Sequence, residues 1–210
     1  MKNKGLFIFM ISLVILTSCA GGRKVAYNDV AADLKYEGNE TLGIAVYDQR
    51  EMVLDGSRKP DFVGYTRSGA GIAYPMGTKS GENLSDAMSN SIAKSFEKKG
   101  YQTKIVKTLP VDEKTEIKTK VKDTDADKII FLTLDKYHTD CYGVTRLMYN
   151  VQAEVMNENG EVLVDKNFTD EYDVGGNAFW GPGDFKTYIP EHFKQVLETI
   201  LNDEEIASAL

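Results

Sequence analysis

Two long runs of alternating apolar and polar residues, Val144 to Met156 and Val162 to Tyr172, are separated by Asn157-Glu158-Asn159-Gly160. A period of two marks a strand with one buried face, and an Asn-Gly turn between two such runs joins them as antiparallel neighbours. In the first run Leu147, Tyr149, Val151, Ala153 and Val155 share one face, which is expected to be buried. Arg146, Met148, Asn150, Gln152 and Glu154 share the other, which is expected to meet water. Upstream, Asp127 to Tyr137 (DKIIFLTLDKY) has the continuous apolar centre of a strand in the middle of a sheet. This set of strands defines the core around which the rest of the chain must fold.

The remaining elements follow from periodicity. Leu42 to Tyr47 (LGIAVY) reads as a buried strand ending in Asp48-Gln49-Arg50. Leu84, Ala87, Met88, Ile92, Ala93 and Phe96 recur at helical spacing behind a possible cap at Asn83 or Ser85, and the helix stops at Gly100. Tyr101 to Val106 reads as a strand, Val111 to Val121 as a largely solvated helix, and Tyr188 to Leu201 as a helix with Phe193, Val196, Leu197, Ile200 and Leu201 in one stripe. Asp203 to Leu210 can add a short terminal helix. The expected fold is α+β, a single mixed or antiparallel sheet with helices packed on one face, in the order β-α-β-α-β-β-β-α. Glu51 to Gly81, with six glycines and two prolines, is too long for an ordinary connection and is expected to be a functional loop, a hairpin or a mobile flap.

The amino-terminal end is a different kind of sequence. Lys2 and Lys4 precede the apolar stretch Leu6 to Leu16, which is too short to span roughly 30 Å of hydrocarbon as a permanent helix and reads as a secretory signal. Leu16-Thr17-Ser18-Cys19 matches the lipobox pattern, in which the cysteine thiol takes a diacylglyceryl group after cleavage. The expected organisation is a signal over 1–18, a lipid-anchored linker over 19–41, and a single domain over 42–210. The chain carries a formal charge of −7, and the signal contains two lysines and no acid, so the mature chain is more acidic still. That balance argues against nucleic acid and against docking on anionic headgroups. Cys141 is the one cysteine besides the anchor, which excludes a disulfide between structural cysteines within the chain.

The lipobox, the strand ending in Asp48-Gln49-Arg50, the glycine-containing insertion, the unit Leu84 to Val106, the strand Asp127 to Tyr137 and the hairpin Val144 to Tyr172 together resemble small envelope lipoproteins of the YajG type. Those are related in fold to the periplasmic domain of CsgG, to LpoB and to the amino-terminal domain of TolB. The resemblance implies a non-enzymatic binding or assembly module. It also implies, because Ala20 rather than aspartate follows the anchor cysteine, a place on the periplasmic face of the outer membrane in a host with two membranes. Glu51 to Gly81 lacks the sustained alternation of a membrane-crossing hairpin, which argues against a self-assembled pore.

Catalytic and ligand motifs are incomplete. Gly71 to Ser80 puts five residues between its glycines and a threonine before the lysine, whereas a phosphate-binding loop needs four and a direct Gly-Lys. Gly69-Ala70-Gly71 begins a dinucleotide fingerprint, but Tyr74 stands where the third glycine belongs. His138-Thr139-Asp140-Cys141 gathers three metal-ligand types without a second pair to complete a site, and it is expected to close its strand. No Gly-x-Ser-x-Gly elbow occurs, and Asp170, Glu171 and Asp173 do not follow a calcium-loop spacing. No cofactor and no nucleotide are therefore expected. Phe179-Trp180 lies in a glycine-bounded loop, and with Tyr65 and Tyr74 it forms the candidate contact set for an envelope protein or a glycan. A subunit of a transport or secretion complex, and a metal-dependent hydrolase using His138, are the alternatives.

Overall fold

The computed structural model describes residues 23–27, 29–176 and 184–210. Its elements are β1 (Lys24–Val25), β2 (Thr41–Asp48), α1 (Glu51–Leu54), β3 (Phe62–Arg67), β4 (Ala73–Thr78), α2 (Leu84–Glu97), β5 (Gln102–Ile105), α3 (Lys114–Lys122), β6 (Lys128–Tyr142), β7 (Val144–Asn157), β8 (Val162–Gly176), α4 (Phe185–Leu201) and α5 (Glu204–Ala209). The α+β class expected from the sequence holds. To the expected order the structure adds β1, the single turn α1 and the β3–β4 hairpin.

All eight strands join one mixed sheet, and β6 is its axis. Along one edge β6 pairs antiparallel with β7, which pairs antiparallel with β8. The other edge is shared by two strands in succession. Parallel β2 pairs with the first part of β6, from Leu42 opposite Lys128 to Asp48 opposite Leu134. Parallel β3 then takes over, from Gly64 opposite Thr139 to Thr66 opposite Cys141. Beyond β2 lies β5, and beyond β3 lie β4 and β1. The segment Glu51 to Gly81 is thus mostly a hairpin built into the sheet.

The exchange of β2 for β3 is held by Arg50, which is 1% exposed. Its Nε and Nη2 donate to Oδ1 and Oδ2 of Asp48 at 2.8 and 2.7 Å. Nη1 donates to the carbonyls of Phe62 at 2.6 Å and Tyr137 at 3.2 Å, and Nη2 also donates to Pro60 O at 3.1 Å. A guanidinium has five N–H donors. All are spent here on the end of β2, the entry to β3 and the backbone of β6.

One face of the sheet carries the main core. Leu42, Ile44 and Val46 of β2, Ile130, Leu132 and Leu134 of β6, and Leu147, Tyr149, Val151, Ala153 and Val155 of β7 pack there against α2, α4 and α5. The segment before β2, expected as a tether, belongs to this core: Tyr27 is 0% exposed, and Ala32 and Leu34 are buried. It forms no regular helix, so its backbone is satisfied by side chains. Ala32 N donates to Ser95 Oγ at 2.8 Å, Asp33 N to Glu198 Oε1 at 3.0 Å and Lys35 N to Asn202 Oδ1 at 2.9 Å.

The expectation that helices pack on one face is corrected by α3. Its Ile117 and Val121 cover Ala45, Tyr47, Ile129, Phe131 and Met156 on the opposite face. Gly43 makes the approach possible, since a Cβ there would lie 2.9 Å from Val121 Cγ1. The face of β7 expected to meet water is consequently covered at Glu154, whose side chain is 6% exposed. Lys118 donates to its Oε1 at 2.6 Å, and Lys114 lies 2.9 Å from Oε2. Burial pushes this carboxyl up, but the two lysines outweigh it and hold it below the ordinary glutamate range.

Arg50→Met leaves the Asp48 carboxylate buried without its cation, and it should destabilise the domain by about 3–5 kcal/mol in urea unfolding. Adding Asp48→Leu should recover part of that loss and no more, because the three carbonyls remain unpaired. The Glu154 cluster sets an acid dependence. A carboxyl whose pKa is depressed on folding contributes stability above its unfolded value, near 4.3, and loses it as pH falls through the folded value. Glu154→Gln should therefore cost about 1–2 kcal/mol at pH 7, with both lysines partly solvated, and the gap to the parent should close toward pH 3.

Candidate functional site

The second face of the sheet is only half covered, and strand length explains why. A helix of nine residues, as α3 is, measures roughly 13 Å, whereas the fourteen residues of β7 run roughly 45 Å. Beyond the reach of α3, the surface made by β3, β6, β7 and β8 is open to solvent.

A bulge decides which residues line it. In the first part of β6 the even-numbered Ile130, Leu132 and Leu134 face the main core. The pairing with β7 then slips between Leu134 and Lys136, leaving Asp135 as the extra residue. An inserted residue reverses the alternation beyond it. Tyr137 and Cys141 now face the main core, while Lys136, His138, Asp140 and Tyr142 turn to the open face. β3 docks closely alongside, because Gly64 has φ +150° and a Cβ there would meet Thr139 O at 2.3 Å.

The open face divides into an aromatic corner and a charged ladder. In the corner, Phe62 and Tyr65 stack edge to face with ring centroids 4.8 Å apart, and His138 stands 6.4 Å from Tyr65. Arg58 lies 5.2 Å over the Tyr65 ring, and its Nε donates to the Tyr65 hydroxyl at 3.2 Å. Burial pushes the His138 imidazole below the ordinary histidine range and Lys136 adds to that shift, so the ring is neutral at pH 7. In the ladder, Arg67 forms a fork with Asp140, Nε to Oδ1 at 2.7 Å and Nη2 to Oδ2 at 2.6 Å. Asp140 is opposite Arg146 on β7, which reaches Asp173 at 3.3 Å and Glu171 at 3.4 Å on β8. Between Arg67, Met148 and Glu171 lies a depression of about 410 Å³. A second depression of about 280 Å³ sits over the bulge, between Arg50 and His138.

Strand alternation separates the ligand types of the His138-Thr139-Asp140-Cys141 run. His138 and Asp140 face the open side, whereas Thr139 and Cys141 are buried on the other, and burial pushes the Cys141 thiol up. The run continues β6 instead of closing it. Among the described residues no group of three or more His, Cys, Asp or Glu is placed to hold a metal ion. This face presents an imidazole, a cation over two rings and paired charges at strand spacing.

Of the sequence-derived contact set, Tyr65 sits in this corner. Tyr74 does not join it, because Tyr65 pairs with Pro75 and Tyr74 with Thr66, which puts the two tyrosines on opposite faces of the hairpin. Phe179, Trp180 and Cys19 lie outside the described residues. Arg58, Arg67 and Asp140 were not singled out as a contact set from sequence. Arg67 and Asp140 are 73 positions apart, and nothing local links them. The break in alternation at Asp135-Lys136 was the available signal.

No family model matches the chain, and no curated protein matches it in sequence. Its fold is similar to that of XCC0632 from Xanthomonas campestris, a protein of the family DUF330, with a TM-score of 0.52, 11% identity, and coverage of 86% of this chain and 91% of that one. PelC from Paraburkholderia phytofirmans, solved as a dodecamer, matches with a TM-score of 0.44 and 10% identity over 83% of this chain and 96% of that one. The lipoprotein GNA1162 from Neisseria meningitidis matches with a TM-score of 0.31 and 13% identity over 79% and 100%. The likeness to XCC0632 is one of fold; the other two superpose too loosely to bear on this chain.

If Asp135 is the extra residue of the bulge, deleting it should leave a regular ladder in which Lys136 still lies opposite Asn150 and His138 opposite Met148, and the purified variant should keep the open face and a cooperative unfolding transition. Asp135→Ala keeps the residue count and should unfold within about 0.5 kcal/mol of the parent.

Proposed function

We propose that this chain is a lipid-anchored binding or assembly module of the bacterial envelope, attached through Cys19, without catalytic activity of its own. The observation that carries the reading is the junction of two sequences. A lipobox ends at Cys19, and by Lys24 the chain has joined the sheet as β1. The resemblance to YajG-type lipoproteins points the same way, and Ala20 after the cysteine favours the periplasmic face of the outer membrane. No helix among the described residues is long and apolar enough to cross a membrane.

In this reading the open face of β3, β6, β7 and β8 receives an envelope protein or a glycan. Tyr65 and Arg58, half-buried and braced on the buried Phe62, supply an anchor of the type that dominates binding energy at interfaces. The charged ladder supplies register without a large desolvation penalty, since Arg146 and its partners stay exposed. A hydrolase built on His138 is disfavoured by the placement of Cys141 on the other side of the strand.

Cys19→Ser should abolish acylation and move the protein from the membrane to the soluble fraction. A photo-crosslinking residue at Met148 should capture an envelope component from intact cells, whereas one at Ser208, away from the open face, should not. Unchanged partition of the serine variant would remove the anchor, and equal capture at both positions would remove the binding face.

A further inference from the structure

We infer that the tip of the β3–β4 hairpin, centred on Ile72 and Tyr74, rests in the membrane interface beside the lipid anchor. The inference rests on the anchored reading above and goes beyond it, because it assigns a membrane-contacting surface and an orientation.

The first observation is composition at an exposed place. From Ser68 to Thr78 (SGAGIAYPMGT) there is no charged residue, although the chain is 27% charged. Ile72 is 58% exposed and Tyr74 50% exposed, with Ala70, Ala73 and Pro75 exposed around them. Ser68 N donates to Ile72 O at 2.9 Å and Gly71 N to Ser68 O at 2.8 Å, so the turn is closed on itself and presents its side chains outward. An apolar branched residue beside a tyrosine, with a backbone already hydrogen-bonded, suits the headgroup boundary. There an aromatic ring keeps its hydroxyl wet, and apolar side chains sink roughly 5–10 Å.

The second observation is the path of the chain. Five steps separate Cys19 from Lys24, a reach of at most about 18 Å. Lys24 lies opposite Gly77 in a parallel pair, and Gly77 N donates to Arg23 O at 3.1 Å. Upstream of Lys24 the chain therefore comes from the direction of the hairpin tip. Ile72 is five residues back from Gly77 along β4, roughly 17 Å. The maximum reach of the leash matches the length of the strand, and both start from the same place in the sheet, so the acyl chains can lie level with the tip. The acidic balance of the whole chain is no obstacle, because this surface carries no charge to be repelled.

The test uses the full-length acylated protein in vesicles of phosphatidylethanolamine and phosphatidylglycerol with brominated acyl chains. Ile72→Cys carries an environment-sensitive fluorophore in one preparation, and Asn159→Cys, in the β7–β8 turn at the far end of the sheet, carries it in another. Cys19 is acylated and Cys141 is buried, so labelling is confined to the new thiol. Vesicle flotation reports the anchor, and quenching reports the tip. Flotation with loss of most of the emission at position 72 and none at 159 is the expected result. Flotation with equal emission at both positions overturns the membrane-contacting tip and leaves the anchor standing. Failure to float overturns the anchored reading, and this inference falls with it.

Discussion

Arg50 makes the long central strand possible. A strand of fifteen residues needs partners along its whole length, and β2 ends after eight. Where β2 stops and β3 has not yet begun, the edge of β6 would expose unpaired backbone to the interior. The guanidinium fills that gap with donors in a planar fork, satisfying the carbonyls of Pro60, Phe62 and Tyr137 at once and placing its charge against Asp48. Lysine would not serve, since a compact ammonium has three donors and no fork. Replacing the pair by apolar residues would remove the desolvation cost of two buried ions but would orphan the carbonyls of Pro60, Phe62 and Tyr137. Here the ion pair specifies which strand follows which along β6.

The bulge at Asp135 depends on the same junction. Gln49 N donates to Leu134 O at 2.9 Å, the last contact before the slip, and Arg50 Nη1 reaches Tyr137 O just after it. The strand thus reverses its faces and passes from β2 to β3 between Leu134 and Thr139. One consequence is structural: aromatic Tyr137 enters the core beside Phe193, with ring centroids 5.9 Å apart. The other concerns function, because the same reversal sends His138 and Asp140 to the open face.

How much of this was legible depends on the range of the forces involved. The β7–β8 hairpin and the apolar centre of β6 were plain in the sequence because a period of two and an Asn-Gly turn are local. Helix α2 was plain for the same reason. The helix α3 was also legible, but its side of the sheet was not: Ile117 and Val121 are too few to reveal which face they cover. The segment from 24 to 40 escaped because it packs through isolated residues, Val25, Tyr27 and Leu34, without a period. The β3–β4 hairpin was one of three readings of Glu51 to Gly81 that its glycines left undecided, and one of those glycines is required by the close approach to Thr139. The open face was half legible, in that alternation alone marks the polar side of β7 from Arg146 to Gln152. Its aromatic corner depends on a bulge and on contacts across β3, and no window of sequence contains both.

On the proposed reading, the short leash changes what the open face has to achieve. Exposed ion pairs of the Arg146 type contribute little each, and a half-buried cation over an aromatic ring such as Arg58 about 0.5–2 kcal/mol. Such a face binds weakly in free solution. A domain held within about 18 Å of its anchor shares a thin layer with any partner in the same membrane, and tethering of this kind raises effective concentrations to the millimolar range. Under that confinement a polar, reversible surface suffices for occupancy, while an apolar one would invite aggregation before the partner arrived. The contrast between the charged ladder and the uncharged hairpin tip follows from this logic: the part turned toward lipid gains from being apolar, and the part turned toward a partner does not.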